Sequence, residues 1–274
     1  MMKKWQKMLA AGLAAVMMAA LAGCGGQQQA ATSGSSSAAG DKNGKVVVGL
    51  DDNFPPMGFK DENGEITGFD IDLAKEATKR LGREVEFKAI DWSSKEAELK
   101  SGRVDVLWNG LDITEKRKEN MLFSDPYMDN RQIIFVKKGE TGITSEKDLA
   151  GKTVGTQSAS TSEEYMDESE FFKKEVKEVK KYPDFVAAFM DLENGRVDAV
   201  VGDEIVGRYY ISKHAGKLEA VDVAVGPVST FGIGFAKDNQ ALRDEVQKVL
   251  DEMQKDGTMA KISKTWFGKD ITKK

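Results

Sequence analysis

The sequence predicts an α/β protein of two similar lobes with a ligand cleft between them. Short apolar strand patterns alternate with helical ones along the chain. A segment also echoes itself: Ser-Gly-Arg-Val-Asp-Val-Leu-Trp at 101–108 returns as Asn-Gly-Arg-Val-Asp-Ala-Val-Val at 194–201. In each copy a helix-stopping Gly precedes a buried strand and then a polar loop, Asn109 to Asp112 in one and Gly202 to Glu204 in the other. Ligands of open α/β sheets sit beyond the carboxyl ends of strands, so the two polar stretches are candidate walls of one cleft.

The elements follow in order. Val46 to Leu50 is an apolar run that reads as a buried strand, and Asn63-Gly64 marks a tight turn. Leu73, Ala74, Ala77 and Leu81 share a helical face that ends at Gly82. Glu84 to Ile90 alternates as a strand does. Ser93 and Glu96 have capping-box spacing at the head of the next short helix, and Val104 to Trp108 is a strand again. Near the C-terminus Leu242, Val246, Val249, Leu250 and Met253 line one helical face up to Gly257, and Met259, Ile262 and Trp266 continue on another helix.

The N-terminus sets the compartment. Lys3, Lys4 and Lys7 precede a fifteen-residue apolar run, Met8 to Ala22, shorter than the ~20 residues a membrane span needs. This is the pattern of a secretory signal peptide over residues 1–23. Its exit, Leu21-Ala22-Gly23-Cys24, resembles the bacterial lipobox, which implies cleavage before Cys24 and a lipid on its sulfur. Residues 24–44 hold that Cys and a stretch of Gln, Ala, Ser and Gly too poor in apolar side chains to fold, so a flexible tether with a reach of ~25 Å is expected. The location expected is the outer face of the cytoplasmic membrane, lipid-anchored.

Composition excludes several chemistries. Cys24 is the only Cys, so the mature chain has no internal disulfide, Cys-based metal site or thiol nucleophile. His214 is the only His, which leaves no His cluster for a metal and little basis for a Ser-His-Asp relay. There is no P-loop, and Gly232-Ile233-Gly234 is an incomplete nucleotide fingerprint inside a strand-like run. No cofactor or metal is expected. The net charge is −5, and −8 once the three signal Lys are removed, which argues against nucleic acid as a partner. What remains are charges and aromatics at strand ends: Asp51, Asp52 and Phe54 after the first strand, Trp92 after the third, Asp112 and Arg117 after the fourth.

At these residues the chain resembles a known family. Residues 46 to 268 are similar to the polar amino-acid-binding proteins of ABC importers, bacterial solute-binding family 3. The carriers are Gly68-Phe69-Asp70-Ile71-Asp72-Leu73, Trp108 to Thr114 with Arg117, Phe123-Ser124-Asp125-Pro126-Tyr127, Asp148 to Gly155 and Trp266-Phe267-Gly268. The resemblance implies a type II periplasmic-binding-protein fold. Lobe 1 would be 45–126 plus 232–274, lobe 2 would be 132–226, and 127–131 and 227–231 would be hinge strands. It implies a free amino acid as ligand and an ABC permease with separate ATPase subunits as partner, with the chain itself a monomer and not an enzyme.

Residue by residue, Arg117 matches the holder of the ligand α-carboxylate, Asp203 takes the α-ammonium, and the Gly110 carbonyl adds an acceptor. Phe54 and Trp92 match an aromatic pair around the side chain. Gln157, Ser160 and Thr161 match the second-lobe loop over the ligand, and Asp51 meets the side-chain tip. Asp112 stands where many members have Ser or Thr, and Ser93 to Leu99 departs from their apolar pattern. An acidic wall of Asp51, Asp52 and Asp112 favours a cationic ligand such as arginine, with a neutral polar amino acid such as glutamine or cystine as the alternative. Asp52 and Asp112 could instead face solvent or cap backbone. An enzyme on the same fold, or a lipoprotein serving a separate sensor, are the competing classes.

Overall fold

The computed structural model describes residues 44–274. The signal-peptide, Cys24 and tether assignments lie outside the described residues. The chain opens with strand β1 (Lys45–Leu50), then a small antiparallel sheet of β2 (Asn53–Phe54), β3 (Gly58–Lys60) and β4 (Ile66–Thr67). Helix α1 (Phe69–Arg80) and strand β5 (Glu84–Ala89) follow, then one 3₁₀ turn leading into α2 (Lys95–Lys100). After these come β6 (Val106–Asp112), α3 (Glu115–Asn120), β7 (Met121–Phe123) and β8 (Met128–Asn130).

The second half runs β9 (Gln132–Lys137), β10 (Thr153–Gln157), α4 (Thr161–Glu168), α5 (Glu170–Lys174), β11 (Glu178–Tyr182), α6 (Phe185–Glu193), β12 (Ala199–Asp203), α7 (Glu204–Lys213) and β13 (Leu218–Ala224). The chain then returns to the first sheet through β14 (Ser229–Ala236) and ends on α8 (Gln240–Lys255) and α9 (Thr258–Phe267).

The two larger sheets lie one per lobe. The first has the order β5-β1-β6-β14-β7 with β8 also on β14, and the second β11-β10-β12-β9-β13. In each, three parallel strands (β5-β1-β6 and β11-β10-β12) are followed by one antiparallel strand, β14 or β9. Parallel strands need helical crossovers, which is why helix and strand patterns alternate in the sequence.

The repeated Gly-Arg-Val-Asp has the same task in both sheets. Gly102 and Gly195 take the left-handed conformation, φ 67° and 70°, just after α2 and α6, where a side chain would cost energy. The Asp105 carboxylate accepts the Val47 N–H at 2.8 Å, and its own N–H donates to the Val47 carbonyl. Asp198 treats Thr153 identically, again at 2.8 Å. Each Asp therefore clips its strand to the middle one of the three parallel strands, β1 or β10. Arg103 and Arg196 fold back on Glu98 and Asp191, five residues earlier. The echo is thus a structural device that sets the register from which the polar strand ends project.

The expected apolar faces are present. Leu73, Ala74 and Ala77 of α1 are buried, as are Leu242, Val246, Val249, Leu250 and Met253 of α8 and Met259 of α9. Two expectations fail. Neither polar segment is a loop: Asn109 to Asp112 continues β6 and is buried throughout, because β14 pairs along it as far as Asp112, and Gly202 and Asp203 continue β12 with Glu204 opening α7. Nor does Ser93 form a capping box with Glu96. Asp91 accepts the Ser93 N–H at 2.9 Å instead, and Glu96 accepts from Asn120 at 3.1 Å.

The two clips predict parallel behaviour. Asp105→Ala and Asp198→Ala should each lower unfolding stability by about 1–3 kcal/mol, the scale of a hydrogen bond to a charged group. The more exposed Asp198 should lie at the lower end. Urea unfolding checks this, and a value near zero for Asp105→Ala would refute it.

Candidate functional site

The carboxyl ends of the central parallel strands face one another across the two sheets. β1 leads into Asp51, β6 ends on Asp112, β10 on Gln157 and β12 on Asp203, and all four side chains are buried. Gln157 of the second sheet donates to the Asp51 carboxylate at 2.7 Å. Burial pushes the Asp51 carboxyl up to about 7, against the hydrogen bonds from the Asn53 N–H and Gln157.

Asp112 and Asp203 meet at a second point. Asn130 Nδ2 donates to both, reaching the two Asp112 oxygens at 3.0 and 3.2 Å. Gln132 Nε2 donates to Asp203 at 2.9 Å and to Asp112 at 3.3 Å, and the Ser229 hydroxyl reaches Asp112 at 2.5 Å. Burial raises the Asp203 carboxyl to about 7, and the neighbouring Asp112 charge adds to the rise. Asp112 is raised as well, chiefly by burial, while the charge of Arg117 and hydrogen bonds from Ser229, Thr161 and Asn130 pull it back. Two buried carboxylates fed by the same two amides resist ionising together and favour a shared proton or a cation between them.

This corrects the expected acidic wall. Asp112 belongs with Asp203, and the charges acting on Asp51 are those of Asp184 and Asp52. Asp52 itself pairs with Lys60 at 2.5 Å at the partly exposed rim. The sequence placed Asp112 by its number after a strand; the pairing of β6, β8 and β14 turns it toward Asn130 and Ser229.

Arg117 is buried and donates from all three of its nitrogens. Nε and Nη2 donate to Glu164 Oε1 at 3.1 and 2.9 Å, Nη2 also to the Ala159 carbonyl at 3.3 Å, and Nη1 to the Asp112 carbonyl at 3.1 Å. Its place is set by Thr114, whose hydroxyl caps α3 by accepting the Arg117 N–H at 3.2 Å. Ser160 caps α4 in the same way through the Glu163 N–H, and Thr161 is the first residue of that helix. Ala159 between Gln157 and the cap is the one non-glycine with positive φ, 56°, among the described residues.

Gly110 is held from behind. Its N–H donates to Asp70 Oδ2 at 2.7 Å, and the Tyr127 hydroxyl donates to the same oxygen at 3.0 Å. Its φ is 54°, and a Cβ there would lie 2.6 Å from a Phe54 ring carbon, so only Gly fits. Phe54 and Trp92 are both buried but do not stack on each other. Phe54 packs on Phe185 of the opposite lobe, centroids 6.1 Å apart, and Trp92 carries the Lys95 ammonium 5.3 Å from its ring centre.

Several site residues escaped the sequence reading. Lys95 is 3% exposed, donates to the Ala159 carbonyl at 2.8 Å across the lobes, and is lowered to about 8 by burial and by the charge of Arg117. Its signal was available as a Lys within Ser93 to Leu99, the stretch where the resemblance to the family departs from the expected apolar pattern. Asn130, Gln132, Ser229 and Glu164 carried none, being ordinary polar residues in polar or β-rich stretches. His214 lies elsewhere, stacked on Tyr210 at 4.0 Å and beside Glu193 at 3.3 Å. Among the described residues no group of His, Cys, Asp and Glu is arranged to hold a metal, and no helix is long and apolar enough to cross a membrane.

Comparisons with known proteins agree with this architecture. The pattern of the bacterial extracellular solute-binding proteins, family 3, matches residues 46–269. The L-cystine-binding protein TcyJ of Escherichia coli strain K12 is 34% identical over 233 residues, covering 85% of this chain and 86% of that protein. The structure of an ancestral arginine-binding protein bound to arginine matches with a TM-score of 0.78 at 45% identity, over 82% of this chain and 99% of that one. A substrate-binding protein of an ABC uptake transporter from Streptococcus pneumoniae, with bound histidine, matches with a TM-score of 0.80 at 34% identity, over 85% and 96% of the two chains. With two matched sheets whose strand ends meet at a buried polar site, the chain belongs to the bacterial extracellular solute-binding proteins of family 3.

Proposed function

We propose that this protein captures a free L-amino acid outside the cytoplasmic membrane and delivers it to an ABC permease. The observation that carries the reading is the charge arrangement at the facing strand ends. A buried guanidinium and a pair of buried carboxylates suit the two ends of an amino-acid zwitterion. Arg117 would take the α-carboxylate in a bidentate fork, which Lys cannot offer. The α-ammonium would enter between Asp203 and Asp112, replacing the proton the pair otherwise favours. In this reading 127–131 and 227–231 act as hinge strands between lobe 1 (45–126 and 232–274) and lobe 2 (132–226), which close on the ligand. The cystine-binding and arginine-binding relatives and the histidine-bound neighbour fit this class.

A cationic side chain, arginine above all, is the preferred ligand. Asp51 is the acid left at the far end, and Asp51, Asp112 and Asp203 outnumber Arg117 and Lys95. Lys95 supports cystine as a second reading, because cystine brings two carboxylates and two ammoniums to two cations and two separate acidic points. Residues 1–23 are proposed as a signal peptide and Cys24 as the acylated start of a tethered lipoprotein.

Three outcomes are expected. Arg117→Ala and Asp203→Ala should each weaken the tightest amino acid by ~2–5 kcal/mol, on the order of 30- to several-thousand-fold; calorimetry showing a loss below about threefold in both folded variants would place the clamp elsewhere. Lys95→Met separates the two ligands. If arginine is the ligand, removing a like charge leaves its affinity equal or higher; if cystine is, affinity falls by about tenfold or more, the scale of one charged hydrogen bond. Competition between arginine, cystine, glutamine and glutamate reads this directly, and glutamate matching arginine would end the case for a cationic ligand. Cys24→Ser should move the protein from the membrane to the soluble fraction, and unchanged retention on fractionation would refute the anchor.

A further inference from the structure

Arg117 presents two edges on which a carboxylate can form a fork, Nε with Nη2 and Nη1 with Nη2. Both are spent on the protein. Glu164 Oε1 spans the first, at 3.1 and 2.9 Å, and the Asp112 and Ala159 carbonyls take the second, at 3.1 and 3.3 Å. Glu164 lies on α4 of the opposite lobe, and its side chain is 19% exposed against 2% for Arg117. We propose that Glu164 is an internal carboxylate that occupies the ligand-carboxylate edge of Arg117, and that it sets the affinity of the site by having to leave before an amino acid can bind.

The inference rests on the reading of Arg117 as the carboxylate anchor. Two carboxylates cannot share one guanidinium edge, so the Glu164 contact and the bound ligand exclude each other. Because Glu164 and Arg117 come from different lobes, the contact also holds the lobes together without ligand. Only the fraction of molecules in which it is broken can accept an amino acid, and apparent affinity falls by that fraction. Glu164 acts on the α-carboxylate that all amino acids share, so it lowers affinity by one common factor and does not choose among side chains. Selection is left to Asp51 and Lys95 at the other contacts.

The test uses the mature protein and its Glu164→Gln and Glu164→Ala variants, titrated by calorimetry with arginine and with glutamine. Gln still offers a weak acceptor to Arg117 and Ala offers none. Affinity should therefore rise in both, by roughly tenfold if nine-tenths of the ligand-free molecules hold the contact, more in Ala than in Gln, and by the same factor for both ligands. Small-angle scattering should show the ligand-free variants more expanded than the ligand-free wild type. Unchanged or weaker binding in both variants, each shown folded by a cooperative thermal transition, overturns the proposal. A gain for one ligand alone does so too, as does a wild type already expanded without ligand. If the wild type binds none of the twenty amino acids or cystine, the binding reading itself fails and this inference falls with it.

Discussion

Asp112 and Asp203 end the strands β6 and β12 of different sheets, yet both accept hydrogen bonds from Asn130 and Gln132. The arrangement constrains everything around it. A buried carboxylate costs several kcal/mol unless its oxygens are met, and here the donors come from the segments that join the two sheets. Asn130 closes β8 and Gln132 opens β9, while Ser229 opens β14. The chain crosses between lobes at the acids, so the two sheets cannot separate far without stripping the carboxylates of donors. A cation between the acids relieves the same problem, and this is the physical basis on which an ammonium would be attracted there.

The scaffold behind the site follows the same logic of one buried acid organising backbone. Asp70 lies at the head of α1 and takes the Gly110 N–H and the Tyr127 hydroxyl on one oxygen. Burial holds its carboxyl up at about 7 despite those bonds. It thereby fixes the strand that carries Gly110 and, two residues on, Asp112. Tyr127 in turn packs its ring between Phe69 and Phe231, joining the first helix, the crossing segment and β14 in one cluster. The site is thus braced on the first-lobe side by a continuous apolar and hydrogen-bonded layer.

The second lobe contributes through loops and helix starts. Gln157 at the end of β10, Ala159 in the turn and Glu164 on α4 reach Asp51, Lys95 and Arg117, while Ser160 between them caps α4. Phe185 against Phe54, Tyr209 against Phe59 and Asp184 with Asn53 add contacts at the other edge. The lobes are joined by a distributed set of small contacts, each breakable, which suits an uptake protein that must exchange its ligand.

How much of this was readable beforehand differs by scale. Alternating periodicities and the echoed Gly-Arg-Val-Asp were enough for the α/β class and for two lobes of one design, because local backbone geometry and burial period are written residue by residue. Asp51, Asp112 and Arg117 were picked out as charges following strands, where open α/β sheets place their polar groups, and Gln157 and Asp203 by the resemblance to the family. Which of them meet was not legible. Asp112 pairs with Asp203 instead of Asp51, Arg117 meets Glu164, and Lys95 grips Ala159, because these contacts join residues tens of positions apart on different lobes. Sequence alone determined which charges are available and on which strands they stand; only the packing of one lobe on the other decided which charge neutralises which, because that depends on distances no local pattern encodes.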